Sequence, residues 1–191
     1  MPTEPVSARA FVEARAALDQ LIQSRHSVET VERLGVLIHR QLAAGHKVMV
    51  CGNGGSACDA AHFAEELTGR FRADRAPLAA IACTDPGHIT CTANDYGFEH
   101  VFSRWVEALG KQGDVLILLS TSGNSENMLR AAAAGSQRGL TTVALLGRGG
   151  GRLKGACDHE LVAPGETSDR VQELHMLILH VLVETVESLT V

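Results

Sequence analysis

The stretch LLSTSGNSENML, Leu118–Leu129, sets an apolar run against a helical pattern and fills the junction with small and polar residues. Ser120, Thr121, Ser122 and Ser125 place four hydroxyls within six residues. A helix start needs one capping side chain, so this excess points to a ligand rich in hydrogen-bond acceptors. At a strand-to-helix turn, free backbone N–H groups and the positive end of the helix dipole favour an anion. The chain itself carries a net charge of −5. Neutral dipoles remove the conflict, because they hold a phosphate locally whatever the global charge.

The same arrangement recurs upstream, where the apolar run Lys47–Cys51 leads into Gly52-Asn53-Gly54-Gly55-Ser56-Ala57 and a helical pattern over 55–69. Glycines there let the backbone approach a ligand and adopt positive φ. Further apolar runs lie at Leu78–Cys83, Val115–Leu119 and Thr142–Leu146, with a weaker one at Glu160–Ala163. Helical spacing falls between and around them, over 7–24, 28–44 (Gly45 as C-cap), about 99–110, 124–138 and 168–190. Apolar strands alternating with helices predict an α/β fold, a doubly wound, three-layer sandwich around a parallel sheet. Ligands in such folds sit beyond the carboxyl ends of the strands. No G-x-x-x-x-G-K-[ST] is present, which speaks against a P-loop hydrolase. Gly52-x-Gly54-x-x-Ala57 matches a dinucleotide fingerprint only loosely, with no acidic residue ending the next strand where one is expected. The Gly-rich 147–155 reads as a flexible connection.

With 191 residues, 45% of them hydrophobic, one sizeable core is available and one unit over 1–191 is expected, with 1–45 as a helical extension packed on it. A pI near 6.0 and the lack of any basic stretch exclude a general nucleic-acid surface. Five cysteines without a C-x-x-C pair read as reduced thiols, mostly apolar fillers. The N-terminal segment, with Glu4, Arg9 and Glu13, has no apolar signal core, and no apolar run approaches membrane-spanning length. A cytoplasmic protein with no membrane contact is the expectation.

Chemistry concentrates on two helices. In DAAHFAEELTGRF, His62 and Glu66 stand one turn apart on one face, suited to a divalent metal; Glu65 is spaced to substitute for Glu66. In SDRVQELHMLILHVLVETV, Asp169 and Gln172 have the spacing of a capping box, with Asp169 as candidate N-cap. His180 sits in an otherwise apolar stretch, as a core histidine or as an acid/base. Gln172 and His180 lie roughly 12 Å apart along the helix and roughly 80° around it. Sharing one small site is then easier if an oligomer lets one chain complete another's pocket, so an inter-subunit site is expected.

The segments CGNGGSACDAAHFAEELTGRF, ANDYGF, FSRWVEALGKQGDVLILLSTSGNS and DRVQELHMLILH resemble the phosphoheptose isomerases of the sugar-isomerase (SIS) family. The resemblance implies a five-stranded parallel sheet, N-terminal helices used in oligomerisation, and a homotetramer. It implies isomerisation of sedoheptulose 7-phosphate to D-glycero-D-manno-heptose 7-phosphate, the first step toward nucleotide-activated heptose for lipopolysaccharide and related glycans. By that resemblance, His62, Glu66, Gln172 and His180 would bind one zinc ion per subunit, which favours Glu66 over Glu65. Substrate would meet Asn53, Gly54, Gly55, Ser56, Glu66, Asn94, Asp95, Ser120, Thr121, Ser122, Ser125 and Gln172.

Aldose–ketose interconversion through an enediol needs a base near both carbons, an acid for the carbonyl oxygen and support for the oxyanion. Glu66 is the expected base and His180 its acid/base partner, with Asp169 assisting or orienting. The alternatives are a non-catalytic SIS module that senses sugar phosphates and an isomerase for another sugar phosphate.

Overall fold

The computed structural model describes residues 5–190. Glu4, and the two ends of the expected 1–191 unit, lie outside them.

Strand β1 (Val48–Gly52) is buried at every position, as is β3 (Val115–Ser120). Such continuous burial belongs to strands covered on both faces. With β2 (Ala80–Ala82), β4 (Thr141–Leu146) and β5 (His159–Val162) they form one parallel sheet in the order β2-β1-β3-β4-β5. Side chains alternate across it. Val48, Val50, Val115, Ile117 and Leu119 point into one core, together with Leu34, Ile38, Phe63, Leu67 and Ile178. Met49, Cys51, Leu116 and Leu118 point into the other, against Trp105, Val106, Met128 and Ala131.

The first face is covered by α1 (Val6–Gln23), α2 (Arg25–Ala43), α3 (Gly55–Thr68) and α7 (Ser168–Thr190). The second is covered by α5 (Val101–Leu109) and α6 (Glu126–Gln137), with α4 (Pro86–Tyr96) beside them. Ser24 separates α1 from α2 by accepting the Ser27 N–H at 3.2 Å. Gly45, with φ +86°, lies one residue beyond the C-cap Ala44 rather than at it. Helix α4 escapes the periodicity argument because only Thr92 along it is buried. Its start is nonetheless conventional, since Asp85 Oδ1 accepts the His88 N–H at 2.7 Å and Pro86 opens the first turn.

The 147–155 segment is not the flexible connection expected. A Cβ on Gly123 would stand 1.8 Å from the Gly150 carbonyl oxygen, and one on Gly151 would stand 2.3 Å from that of Ser122. The Leu153 N–H also donates to the Gly123 carbonyl at 2.9 Å. Glycine supplies close packing at Gly123 and Gly151, and positive φ at Gly149, Gly150, Gly151 and Gly155. Among the described residues, no helix is long and apolar enough to cross a membrane.

Candidate active site

From β1 the chain leads to β2 on one side of it, and β3 flanks it on the other, which opens a crevice at the carboxyl ends of β1 and β3. Both glycine- and serine-rich turns stand there. Gly54 takes φ +56°, which only glycine adopts without strain. Asn53 and the 2%-exposed Asn127 exchange amide hydrogen bonds of 3.0 and 2.9 Å, locking the first turn to the start of α6. In the second turn Ser120 Oγ accepts the Gly123 N–H at 3.0 Å, and Ser122 Oγ accepts that of Asn124 at 3.2 Å. Ser125 occupies the N-cap of α6, yet its side chain makes no capping bond. Simple capping therefore does not account for the hydroxyls. Thr121 Oγ1 lies 3.2 Å from Ser168 Oγ, joining the turn to the head of α7.

Helix α3 buries Ala60, Phe63, Ala64 and Leu67, which leaves His62 and Glu66 on its flank toward α7. His62 Nε2 lies 3.2 Å from Glu66 Oε1, and His180 Nε2 lies 4.0 Å from the same oxygen. One ligand atom from each of the three falls within 4.8 Å of the others, a grouping able to hold a metal ion. Glu65 also approaches His62, at 3.8 Å, but its side chain is 65% exposed against 14% for Glu66. His180 is half-buried, not a core residue. Its ring meets His62 edge-on with centroids 5.0 Å apart and stacks on Phe71 at 5.9 Å.

The core histidine of α7 is His175, which is fully buried. Its Nε2 lies 3.0 Å from the Leu146 carbonyl. Burial pushes its pKa down, opposed by that hydrogen bond, and keeps the ring neutral.

Helices α3 and α7 meet at successive levels along their length. At the first, Gln172 Nε2 donates to Ser56 Oγ at 3.3 Å, and a Cβ on Gly55 would stand 2.7 Å from that nitrogen. At the next, His180 meets Glu66. The axial separation between Gln172 and His180 is thus real: Gln172 faces the head of α3, and His180 its third turn. Neither requires a second chain for these contacts.

Asp169 is not the N-cap, because α7 opens at Ser168 and the first bond of the helix runs from the Val171 N–H to the Thr167 carbonyl. Its exposed carboxylate is held below the ordinary range by hydrogen bonding from Thr167, with Arg170 Nη2 at 3.2 Å. Gln172 reaches Ser56 instead of closing a capping box. Asn94 and Asp95 are exposed on α4, where Asn94 Nδ2 donates to Asp95 Oδ1 at 2.7 Å and Cys91 Sγ lies 3.7 Å from Asp95 Oδ2. No hydrogen bond joins them to either turn among the described residues.

Phe71, Asn127 and Ser168 also belong to this constellation, and sequence reasoning does not single them out. Phe71 closes the segment ELTGRF, where an aromatic side chain is the one available signal; Asn127 and Ser168 carry no local signal beyond a helix start.

An α/β sandwich with two anion-favouring turns at its crevice and a His/Glu/His cluster further along the α3–α7 pair defines a class. A family profile described as "SIS domain" matches residues 11–147, and the chain belongs to that family. Its relatives narrow the class further. The phosphoheptose isomerase of Fusobacterium nucleatum is 53% identical over 170 residues, covering 89% of this chain and 88% of that protein. The solved phosphoheptose isomerase of Neisseria gonorrhoeae superposes with a TM-score of 0.89 at 40% identity, over 95% of this chain and 97% of that one. That of Francisella tularensis gives 0.90 at 34% identity, over 95% and 96%. Sequence and backbone both place the chain among the phosphoheptose isomerases.

Proposed function

We propose that the protein isomerises sedoheptulose 7-phosphate to D-glycero-D-manno-heptose 7-phosphate. The observation that carries the reading is the approach of Glu66 and His180, 4.0 Å apart, on the α3–α7 pair whose heads stand at the two phosphate-favouring turns. The Ser120–Ser125 turn and the head of α3, with Asn53, Gly54, Gly55 and Ser56, anchor the phosphate and fix the sugar. That anchorage supplies orientation rather than chemistry. Glu66 takes a proton from C1 of the ketose and returns it to C2. His180 moves the hydroxyl proton of O1 to O2 as the enediolate forms and collapses. Gln172 steadies the substrate from the head of α7, and Asp169, already committed to Thr167 and Arg170, acts by orientation.

Two imidazoles and a carboxylate are a donor set that zinc takes in open sites, and the cluster fits that use. His62, Glu66 and His180 would hold the ion, and Gln172, one level away on the same helix, would serve as fourth ligand from a neighbouring subunit. Bound zinc would supply Lewis-acid stabilisation of the enediolate oxygens.

We read the assembly as a cytoplasmic homotetramer of single 1–191 units. Val6, Phe11, Val12 and Ile22 of α1 are exposed, Phe11 at 76%, and Ile22, Val28, Leu177 and Val181 line one apolar groove suited to burial between subunits. Asn94 and Asp95, exposed and unbonded to either turn, would complete a neighbour's site. A coupled assay with sedoheptulose 7-phosphate tests the reading. Formation of the aldose phosphate supports it, and binding without conversion would make the chain a sugar-phosphate sensor.

A further inference from the structure

Beyond the Glu66–His180 level, α3 and α7 are tied once more. Arg75, whose side chain is 3% exposed, donates from Nη2 to the Glu66 carbonyl at 2.7 Å and from Nη1 to the Leu67 carbonyl at 2.9 Å. These carbonyls belong to the open C-terminal end of α3, where a cation also meets the negative end of the helix dipole. On its other side, Arg75 Nε stands 3.5 Å from Glu187 Oε1, an ion-pair contact with a side chain 8% exposed. Glu187 in turn accepts the Arg72 N–H at 3.2 Å. It lies seven residues after His180 on α7, two turns along and on the same face.

We propose that Arg75 is the positioning residue of the site: one buried guanidinium holds the backbone of Glu66 on α3 and, through Glu187, the segment of α7 that carries His180. The inference rests on the reading of Glu66 and His180 as the reactive, metal-holding pair. A planar fork suits the task, because two carbonyls and a carboxylate lie around it in different directions, and an ammonium cannot match that geometry. Removing the guanidinium strands the Glu66 carbonyl, leaves that of Leu67 with the Leu78 N–H alone, and leaves the Glu187 carboxylate buried without its counter-ion. The end of α3 then relaxes away from α7, and the Glu66–His180 spacing goes with it.

The test uses the full chain stripped of metal, titrated calorimetrically with Co2+ alone, beside steady-state turnover of sedoheptulose 7-phosphate. Residues that orient metal ligands typically change affinity or activity by about 10–100-fold. For Arg75→Met a loss of that size in Co2+ affinity is expected, with a matching fall in kcat and KM within roughly twofold, because the phosphate turns are untouched. Glu187→Gln, nearly isosteric, should shift both quantities in the same direction by less, and Arg75→Lys should rescue only part of the loss. The Co2+ absorption bands should change shape in Arg75→Met, which lowered stability alone would not produce. Wild-type Co2+ affinity, band shape and kcat in these variants, even with a reduced Tm, would overturn the proposal and make Arg75 a scaffold residue. Should Arg75→Met fail to fold, Glu187→Gln decides by the same readings. A wild-type chain that does not isomerise the heptulose phosphate sinks the proposed function, while the Co2+ titration still judges the positioning role.

Discussion

The two ends of the sheet are both polar, and they differ in how completely their polar groups are paired. At the amino end, Asp114 is buried and its carboxylate is surrounded: the Lys47 ammonium, the Lys47 N–H at 3.0 Å and the Lys111 N–H at 2.8 Å all address it. Nearby, the Thr142 N–H and hydroxyl each reach Asp158 Oδ2 at 2.8 Å, and the Asp158 N–H returns to Thr142 Oγ1 at 2.9 Å. At the carboxyl end, Ser125 caps nothing, and between α3 and α7 Glu66 faces two imidazoles. A closed network stabilises. A site keeps bonding capacity open for something that is not part of the chain.

The largest expected effect falls where bonding capacity is left open. Glu66→Gln should lower kcat by about 10²–10⁴-fold, the usual worth of a positioned acid/base, with circular dichroism and Tm near wild type. Turnover like the wild type would make Glu66 a mere neighbour of histidines. Next, Ser122→Ala and Ser125→Ala should each raise KM for the sugar phosphate by roughly tenfold, the loss of one hydrogen bond to a charged group. Inorganic phosphate should inhibit these variants correspondingly less; unchanged inhibition would show that the turn holds no anion.

The closed end should respond in stability and not in catalysis. Asp114→Asn should lower unfolding free energy by about 2–3 kcal/mol in urea titrations, toward the low side for a buried pair because Lys47 retains some solvent contact. Burial opposes ionisation of Asp114, but the Lys47 and Lys111 contacts outweigh it and hold its pKa below the ordinary value. A carboxylate depressed on folding stabilises above its unfolded pKa, about 3.9, and that stability drains as pH falls through the folded value. The variant should therefore show a flatter acid limb with kcat unchanged.

His175 offers a smaller effect at milder pH. Its folded pKa lies below the free value because it is buried. Below about 6.5 the unfolded chain takes up a proton that the folded chain refuses, so stability falls as pH drops. His175→Gln should remove that slope between pH 7 and 5. The mildest contrast concerns thiols. Cys58 and Cys91 are exposed, whereas Cys51 and Cys83 are buried, with burial pushing the Cys83 thiol up to about 12. Iodoacetamide should label the exposed pair first, so the filler reading holds for the buried cysteines only.

Much of the fold is legible in the sequence because a doubly covered parallel sheet writes itself as apolar runs, and β1, β3 and β4 stand close to where those runs lie. Helix α4 is not legible by the same means, since it presents a single buried residue to the core and so has no period. In the site, His62 and Glu66 can be paired by spacing, because four residues on one helix are neighbours by construction. His180 cannot be joined to them that way: its partner lies across a helix–helix contact, and an apolar surrounding sequence suggests burial where the structure has a half-open flank. Arg75 leaves no trace at all. It sits in a connection, in no motif, and acquires meaning only from what the two helices do at their far ends.

The central claim is that Glu66 carries hydrogen between two carbons of a sugar whose phosphate is held by uncharged dipoles. Turnover of sedoheptulose 7-phosphate in D2O, followed by NMR at C1 and C2, addresses it most directly. The account predicts that the C2 hydrogen of the aldose formed by the wild type comes from C1, replaced by solvent deuterium only as far as the protonated Glu66 exchanges before returning it. It predicts no exchange at either carbon in Glu66→Gln, which should still bind the heptulose phosphate. Exchange at the wild-type rate in that variant would contradict it.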